Sequence, residues 1–362
     1  MEAICLNNIQ SQSNRLLYTG GISSAIAVFL LLVIFPVSTQ FFEYKITDIK
    51  YVLRSMLDKE PGTNPDVIMV NLDDYSKIQS GKTLWPYPYY AAVIEKISSG
   101  DPTSIGVDIM LTNTIDTSGW SAVLASLEES FLAINPYLVK FGDTQEPFEA
   151  ASHHEILSEL SMDELPRTDP GEIKHVVDIP YKSRNDIMEN SLGIGFVTIE
   201  PDLDGVLRRL PIVAEINGML APHFFLRVLC AHLDYELGNI ELESNRKLIL
   251  HDFPVDGSNK DIEIPLDGQG NMLINCISYE KVQKLTKSGH FVSLSAWDVI
   301  NSNTIDLSNK TVIFGDNSAA HRDFSTTPLD PLLPNHLIFA MAMNNILEEE
   351  FVHASPPLVT LA

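Results

Sequence analysis

The sequence predicts an α/β protein with a mixed, largely parallel sheet and flanking helices, preceded by one N-terminal transmembrane helix. Short apolar runs at residues 67–72, 104–107 and 311–315 are typical of strands buried in a parallel sheet. A helical pattern lies between the first two, and this order predicts parallel strands joined by a right-handed crossover. An uncharged run at residues 16–42 is long enough to cross a bilayer, which takes about 20 residues of helix.

The uncharged run is predicted to be an uncleaved membrane anchor that follows a short N-terminus at residues 1–15. A cleaved signal peptide is the alternative, but such peptides have a basic start and an apolar stretch of only about 7–15 residues. Here Arg15 is opposed by Glu2, and Val37-Ser-Thr is a poor cleavage site. The basic residues that flank the run do not decide which side of the membrane carries the rest of the chain.

The composition limits the partners of this chain. Its formal net charge of −24 at pH 7 argues against nucleic acid and against broad contact with anionic lipid headgroups. Solubility explains this charge, and a cationic ligand is the alternative explanation. Cys230 lies in an apolar helical pattern, and Cys276 follows an apolar strand pattern. Both are expected to be buried free thiols, and a disulfide between them is the alternative if the domain faces an oxidising compartment.

The rest of the chain alternates short strands with helices. Helical spacing at residues 43–57 predicts a stalk that continues the anchor, whereas the acidic stretch at residues 142–174 is expected to be a surface loop or an insertion. Asp204-Gly between two apolar runs predicts a hairpin of residues 193–199 with 206–213. Further helices are predicted at residues 89–97, 121–134, 222–237, 294–300 and 335–349. Further strands are predicted at residues 247–250, 261–264 and 272–275.

Carboxylates follow three of the predicted strands, as Asp73 with Asp74, Asp108 and Asp316. If these strands are parallel in one sheet, the carboxylates meet at its carboxyl edge, where open α/β sheets place ligands. Such a cluster would bind a divalent cation or a cationic small molecule. The alternative is that each acid caps the helix or turn that follows it. Trp85 would then either line a pocket beside the cluster or cover the end of the sheet.

Arg208 and Arg209 are neighbours on a predicted strand, so their side chains point to opposite faces. One of them faces the core and needs a partner, and a structural ion pair is the expected role. Pairing with the carboxylate cluster and capture of an anionic ligand are the alternatives.

The sequence contains none of the usual catalytic motifs, so this chain is not predicted to be an enzyme. Residues 202–205 resemble the start of a calcium loop, but Pro211 stands where that loop needs a glutamate. The adjacent His153 and His154 are not expected to bind zinc. A membrane-anchored hydrolase that uses the aspartates is an alternative for which no nucleophile or base is evident.

Four motifs, in the correct order, resemble the CHASE2 domain family. They are the strand at residues 67–74 with Trp85-Pro-Tyr-Pro, the strand Ile105-Gly-Val-Asp-Ile, the segment Asp204-Gly-Val-Leu-Arg-Arg-Leu-Pro, and Ile313-Phe-Gly with Asp323, Thr327-Pro and Pro334. The resemblance covers about residues 43–350. Two features depart from it: Asn335 replaces the glycine that usually follows the last proline, and residues 142–174 look like extra length.

The resemblance implies an extracytoplasmic (periplasmic) sensory domain at the inner or plasma membrane. It implies a homodimeric receptor that binds an unidentified small molecule or ion, while cofactor and metal stay open. The output domain, an adenylate cyclase, a diguanylate cyclase or a histidine kinase, would lie beyond this chain, and residues 351–362 would begin a second membrane segment. A stand-alone anchored scaffold or regulatory protein, acting through protein contacts, is the alternative. The candidate ligand-binding residues are Asp73, Asp74, Trp85, Asp108, Arg208, Arg209, Asp316 and Asp323.

Overall fold

A computed structural model of the chain describes residues 18–25, 28–29, 36–112, 119–130, 133–142, 173–243, 246–255, 257–267, 269–289 and 292–353. The chain divides into two compact units, residues 1–50 with 355–362 and residues 51–354. In the first unit, the described residues 18–25, 28–29 and 36–50 are helical. The second unit contains the sheets that position the candidate site.

Helices and strands alternate along most of the described chain. The helices are α1 (Pro36–Met56), α2 (Asp74–Ser80), α3 (Tyr87–Ser98), α4 (Trp120–Ser130), α5 (Asn185–Glu189), α6 (Phe224–His232), α7 (Tyr279–Ser288), α8 (Ala296–Asn301) and α9 (Asn335–Leu347), with a 3-10 turn at Leu237–Asn239. The strands are β1 (Val67–Leu72), β2 (Ser104–Asp108), β3 (Ala133–Gly142), β4 (His175–Lys182), β5 (Gly193–Phe196), β6 (Arg209–Pro211), β7 (Val213–Ile216), β8 (Met219–Pro222), β9 (Ile240–Glu243), β10 (Lys247–Val255), β11 (Ser258–Pro265), β12 (Asn271–Leu273), β13 (Val292–Ser295), β14 (Thr311–Asp316), β15 (Phe324–Ser325) and β16 (Leu333–Pro334).

The main sheet has nine strands in the order β13-β1-β14-β2-β3-β4-β7-β8, with β5 paired to β3. Strands β13, β1, β14, β2 and β3 run parallel to one another, and β5 is parallel to β3. Strand β4 is antiparallel to β3. The sheet is therefore mixed and largely parallel, which confirms the α/β part of the predicted fold class. Strands β1 and β2 are parallel as predicted, but β14, from late in the chain, lies between them.

Helices cover both faces of the parallel strands. Ile68 of β1 packs in one buried cluster with residues of α3 and α4, whereas its neighbour Met69 packs in another with residues of α6 and α9. This alternation is expected for a strand that is buried on both sides. Gly195 allows α6 to approach the sheet closely, because a Cβ at that position would lie 2.5 Å from the Cα of Phe224.

Two buried cysteines lie in the second unit. Cys230, in α6, and Cys276, after β12, are both free, which confirms the prediction of buried thiols. Burial raises the pKa of the Cys276 thiol to about 12, so this group stays protonated at neutral pH.

The helix predicted at residues 121–134 is wrong at its C-terminal end. Helix α4 ends at Ser130, and Ala133 begins the long strand β3. Ala133 and Ile134 pair with β2, and neither side chain is exposed to solvent. Pairing within the central sheet therefore outweighs the local helical pattern of these residues.

The hairpin predicted around Gly205 is also wrong. The turn itself forms, because the Gly205 amide donates to the Asp202 carbonyl at 2.8 Å. However, β5 pairs with β3 and β6 pairs with β12. Pairing in the large sheet buries β5 under α6, and an isolated two-stranded hairpin would not do so. A hairpin instead joins β7 and β8 at Asn217-Gly218, whose φ angles of 50° and 86° are typical of a type I′ turn.

Helix α2, directly after β1, was not predicted. Asp73 caps its N-terminus, and Gly81 ends it in a left-handed conformation with a φ of 65°. These are ordinary start and stop residues, but a helix of seven residues is too short to show an apolar period. Helix α7 and strands β4 and β13 were also not predicted, whereas the helices expected near residues 89–97, 294–300 and 335–349 are confirmed with shifted ends.

Within the described chain, no helix combines the length and the apolar character that crossing a membrane requires. Parts of the predicted anchor, residues 16–17, 26–27 and 30–35, lie outside the described residues. The same holds for most of the predicted insertion, with His153 and His154, and for residues 354–362. The stalk predicted at residues 43–57 is helical up to Met56, as part of α1.

Candidate functional site

Three parallel strands bring the predicted carboxylates to one edge of the main sheet. Strand β14 lies between β1 and β2, with Leu72 opposite Asp316 and Gly315 opposite Asp108. This carboxyl edge is where open α/β sheets bind ligands. We call the following side chains the acidic edge: Asp73, Asp74, Asp108, Asp316 and Asp323.

Asp73 is the N-cap of α2, so it has the capping role that the sequence analysis gave as the alternative to ligand binding. Its Oδ1 accepts hydrogen bonds from the Ser76 amide at 2.8 Å, from the Ser76 hydroxyl at 2.6 Å and from the Ser295 hydroxyl at 2.9 Å. Asp74 Oδ1 accepts a hydrogen bond from the Ala319 amide at 3.1 Å. These contacts give both acids structural partners, and the capping of α2 explains Asp73 without a ligand.

Asp316 is buried and has a cation of its own. Lys77 Nζ, on α2, lies 3.0 Å from Asp316 Oδ2, and Asp316 is only 8% exposed. The Ser318 amide donates to Asp316 Oδ1 at 2.9 Å. His321 Nδ1 lies 4.0 Å from Oδ2 on the solvent side. The role of Lys77 was not predicted, because the helix that carries it was not predicted.

Asp108 is the acid of this edge whose charge is not balanced. Asp108 as a whole is partly exposed. Its Oδ2 atom, however, is shielded from solvent and has no hydrogen-bond partner in the described chain. Burial raises the pKa of Asp108 well above the ordinary 3.8, and the charge of Asp323 raises it further. Burial also raises the pKa of Asp323. Two interacting carboxyl groups that both resist ionisation favour a proton or a cation between them.

Asn335, the residue that departs from the family pattern, holds Asp323 in place. The Asn335 side chain donates to Asp323 Oδ1 at 2.6 Å, and its amide donates to the Asp323 carbonyl at 3.1 Å. The Ser325 hydroxyl donates to Asn335 Oδ1 at 2.7 Å. A glycine here would provide no side chain to fix the carboxylate.

Trp85 is a buried member of an aromatic cluster. It is 6% exposed, its Nε1 donates to the Ser80 hydroxyl at 2.8 Å, and its ring centroid is 5.0 Å from that of Tyr89. Tyr90 packs between Trp85 and Phe314 of β14, and burial together with the charge of Asp316 raises the pKa of Tyr90. The cluster therefore forms an apolar wall beside the acidic edge.

A buried histidine lies beneath the acidic edge and was not predicted. His336 Nε2 is 2.8 Å from Asn71 Oδ1, and a Cβ on Gly315 would lie 2.6 Å from the His336 ring. Burial lowers the pKa of His336 to about 4, so its ring is neutral at neutral pH and supplies no positive charge to the carboxylates. The sequence signal is a polar Asn-His pair directly before the apolar run Leu337–Met343.

Arg208 and Arg209 bind a different set of carboxylates. Arg208 is fully buried, and its Nη1 lies 2.9 Å from Asp202 Oδ2 and 2.9 Å from Asp204 Oδ1. Arg209 Nε lies 3.1 Å from Asp202 Oδ1, and its Nη1 lies 2.8 Å from Asp267 Oδ2. The two arginines thus form the predicted ion pairs, but with acids that the sequence did not identify as partners.

This second network holds β6, the loop before it and the loop before β12 together. Burial opposes ionisation of Asp267, but hydrogen bonds from Asn271 and Arg209 lower its pKa overall. A carboxylate held ionised by such contacts is part of the structure rather than an open binding site. Among the described residues, no group of three or more histidine, cysteine, aspartate or glutamate side chains is arranged to hold a metal ion.

Comparison with known proteins identifies the family of this chain. A family model for the CHASE2 domain matches residues 25–361, nearly the whole chain. The chain therefore belongs to the CHASE2 family, which confirms the resemblance seen in its motifs. No curated protein and no solved structure gave a significant match. CHASE2 is a family of non-catalytic sensory domains found in the extracytoplasmic part of membrane receptors.

Replacing Arg208 by methionine leaves Asp202 and Asp204 without their buried cation. We expect Arg208→Met to lower the free energy of unfolding by about 3–5 kcal/mol, the usual cost of removing one partner of a buried ion pair. Urea denaturation followed by circular dichroism measures this loss. Lys310→Met is the matched control, because the Lys310–Asp66 pair is partly exposed and is worth at most about 1 kcal/mol. Equal losses in both variants would show that the network of Arg208 is not structurally important.

Replacing Asp108 by asparagine removes the unbalanced charge. Because the pKa of Asp108 is raised on folding, the unfolded chain loses this proton first as the pH rises above 3.8, and stability then falls. We therefore expect Asp108→Asn to increase the free energy of unfolding by about 1–3 kcal/mol at pH 7. The gain disappears below the ordinary carboxyl pKa, where Asp108 is neutral in both states.

Asp316→Asn is the control at the same edge, and we expect it to change the free energy of unfolding in the opposite direction. This change removes the counter-charge of the partly buried Lys77, so it should destabilise the protein at pH 7. Thermal unfolding from pH 3 to pH 8 measures both variants. Destabilisation by Asp108→Asn at neutral pH would mean that Asp108 has a stabilising structural partner.

Proposed function

We propose that this chain is the extracytoplasmic sensing domain of a membrane-bound receptor and that it binds a small cation at the acidic edge. Membership of a sensory family supports the first part. The observation that carries the second is the buried Asp108 Oδ2, which has no hydrogen-bond partner among the described residues. This carboxylate lacks a positive counter-charge, so the proposed ligand is a cation.

The acidic edge supports this proposal because only some of its carboxylates have a charged or capping partner. Asp73 is a helix cap, and Asp316 binds Lys77. Burial instead raises the pKa of both Asp108 and Asp323, and the charge of Asp323 raises that of Asp108 further, whereas Asn335 gives Asp323 only a neutral hydrogen bond. A bound cation would neutralise both carboxylates and offset the free energy that their burial costs. A site that costs stability in order to bind a ligand is common in functional regions of proteins.

Hydrogen bonds connect the segment after Asp323 to the residues that follow the stalk helix. These contacts support a relay of conformational change from the acidic edge to the stalk. After β15, in the turn that precedes β16, Asp330 Oδ2 accepts a hydrogen bond from the Tyr279 amide at 2.9 Å, at the start of α7. The neighbouring Ser278 amide donates to Glu60 Oε2 at 2.8 Å, just after α1. A ligand that draws Asp323 toward Asp108 would therefore pull on contacts that hold the end of the stalk. Such a relay requires different ligand affinities in its two states.

The uncharged run at residues 16–42 supports anchoring in the inner or plasma membrane, with the sensing domain on the periplasmic side. In this proposal, α1 carries the change in geometry toward the membrane. The output would be a cytoplasmic nucleotide cyclase or histidine kinase domain in a longer form of the protein.

A thermal-shift screen of the detergent-purified chain tests the ligand class. The probes are Mg²⁺, Ca²⁺, choline, putrescine and spermidine, with glycerol and citrate as neutral and anionic controls. At a concentration 100-fold above its dissociation constant, a ligand stabilises the folded state by about 2.7 kcal/mol. We expect either the metal ions or the organic cations to stabilise the wild type, and the same probes not to stabilise Asp108→Asn. The set that stabilises the wild type identifies the class of ligand.

Asp298→Asn is the control for general charge effects, because Asp298 is an exposed acid on α8. It should respond to each probe as the wild type does. A cation that stabilises Asp108→Asn as strongly as the wild type, or a screen in which no cation stabilises the wild type, contradicts the proposal.

A further inference from the structure

Three buried polar atoms near the acidic edge have no hydrogen-bond partner among the described residues. They are Asp108 Oδ2, Asn317 Oδ1 and His336 Nδ1. Asp108 and Asn317 are partly exposed residues, so a ligand can reach them from solvent, whereas His336 is only 1% exposed. Removing a polar atom from water without giving it a partner costs free energy, and a bound ligand can supply that partner.

The hydrogen bonds of Asn71 show that Asn317 Oδ1 and His336 Nδ1 are acceptors. Asn71 Nδ2 donates to the Leu294 carbonyl at 3.1 Å and to the Ser293 hydroxyl at 2.8 Å. Asn71 Oδ1 therefore accepts, from His336 Nε2 at 2.8 Å and from Asn317 Nδ2 at 3.4 Å. Because a neutral imidazole has a single N–H, His336 Nδ1 carries a lone pair, and the unpartnered atom of the Asn317 amide is its oxygen.

The three acceptors lie at the same edge of the main sheet and on the face that α6 and α9 cover. A Cβ on Gly106 would lie 2.8 Å from a side chain of α6, so Asp108, two residues farther along β2, points to that face. A Cβ on Gly315, which is opposite Asp108, would lie 2.6 Å from the ring of His336 in α9. Asn317 follows Gly315 by two residues and donates to the same oxygen as His336.

We propose that the cation at the acidic edge is the primary ammonium group of a small organic molecule. Such a group carries a positive charge and three N–H donors. Asp108 Oδ2, Asn317 Oδ1 and His336 Nδ1 are acceptors that lack a donor, and the first of them also lacks a counter-charge. This inference rests on the cation site of the proposed function and adds the chemical class of its ligand.

Metal ions and quaternary ammonium groups fit this arrangement less well. Among the described residues, no three carboxylate, thiol or imidazole side chains are arranged to hold a metal ion. Mg²⁺ needs its oxygen ligands at about 2.0–2.1 Å, whereas an N–H donor lies about 2.7–3.2 Å from its acceptor, so an ammonium group tolerates acceptors that are farther apart. A quaternary ammonium group has the charge but no N–H, and it would leave all three acceptors without a donor.

Isothermal titration calorimetry of the detergent-purified full chain at pH 7 tests this class with two matched probes. n-Butylammonium and N,N,N-trimethylbutylammonium have the same charge and the same apolar chain, but only the first has N–H donors. We expect n-butylammonium to bind the wild type at least about tenfold more tightly, because only this probe satisfies the buried acceptors. The comparison needs no variant, so it does not depend on the folding of one.

Asn317→Leu removes one acceptor and retains a side chain of similar size. We expect it to weaken binding of n-butylammonium by about tenfold. The oxygen that it removes has no partner in the free protein, so the fold should persist, which circular dichroism checks. Asn303→Leu, at an exposed asparagine, is the matched control and should bind both probes as the wild type does.

The possible outcomes distinguish this inference from the site on which it rests. Equal affinity for the two probes, or tighter binding of Mg²⁺ or Ca²⁺ than of n-butylammonium, would overturn the ammonium class and retain the cation site. Equal effects of Asn317→Leu and Asn303→Leu would overturn the role of Asn317 as an acceptor. A wild type that binds none of these cations would overturn the proposed cation site as well.

Discussion

Parallel pairing of β1, β14 and β2 places three carboxylate-bearing strand ends side by side, and the surrounding structure balances that charge. Lys77 from α2 neutralises Asp316, and the N-terminus of the same helix takes the charge of Asp73. Helix α2 is therefore as much an electrostatic element as a packing element. Asp108 receives no such partner among the described residues, so the edge retains one unmet charge. This unpartnered carboxylate is the reason why we propose that the edge binds a ligand and does not only cap helices.

Sequence patterns predicted the strands of this edge well, because β1, β2 and β14 are continuous apolar runs that need both faces covered. They also predicted that Asp108 and Asp316 meet. Their partners could not be predicted, since Lys77 lies on a helix too short for a period and Asn335 reaches Asp323 only through tertiary contacts. Ala133 starts a strand rather than ending a helix because β2 offers it a partner that local propensity does not reveal.

The arginine pair shows that a sequence motif does not identify the ion-pair partners of its residues. Arg208 and Arg209 were expected to point to opposite faces of a strand, but both side chains bind Asp202. Their other partners, Asp204 and Asp267, lie in loops rather than at the acidic edge. Their network joins β6 to the loop before β12, and the segment after β12 contacts Tyr51 and Arg54 on the stalk. The same part of the molecule thus stabilises the domain and holds the C-terminal end of α1.

An NMR titration of the Asp108 carboxyl carbon tests this account most directly. The protein is labelled with ¹³C at aspartate side-chain carboxyls, and the signal is assigned by its loss in Asp108→Asn. The account predicts a midpoint well above the ordinary 3.8 in the free protein, and a fall toward that value when a bound cation supplies the missing charge. A midpoint near 3.8 without any ligand would mean that solvent or a neighbouring group already balances Asp108, and it would contradict the unmet charge on which the binding edge depends.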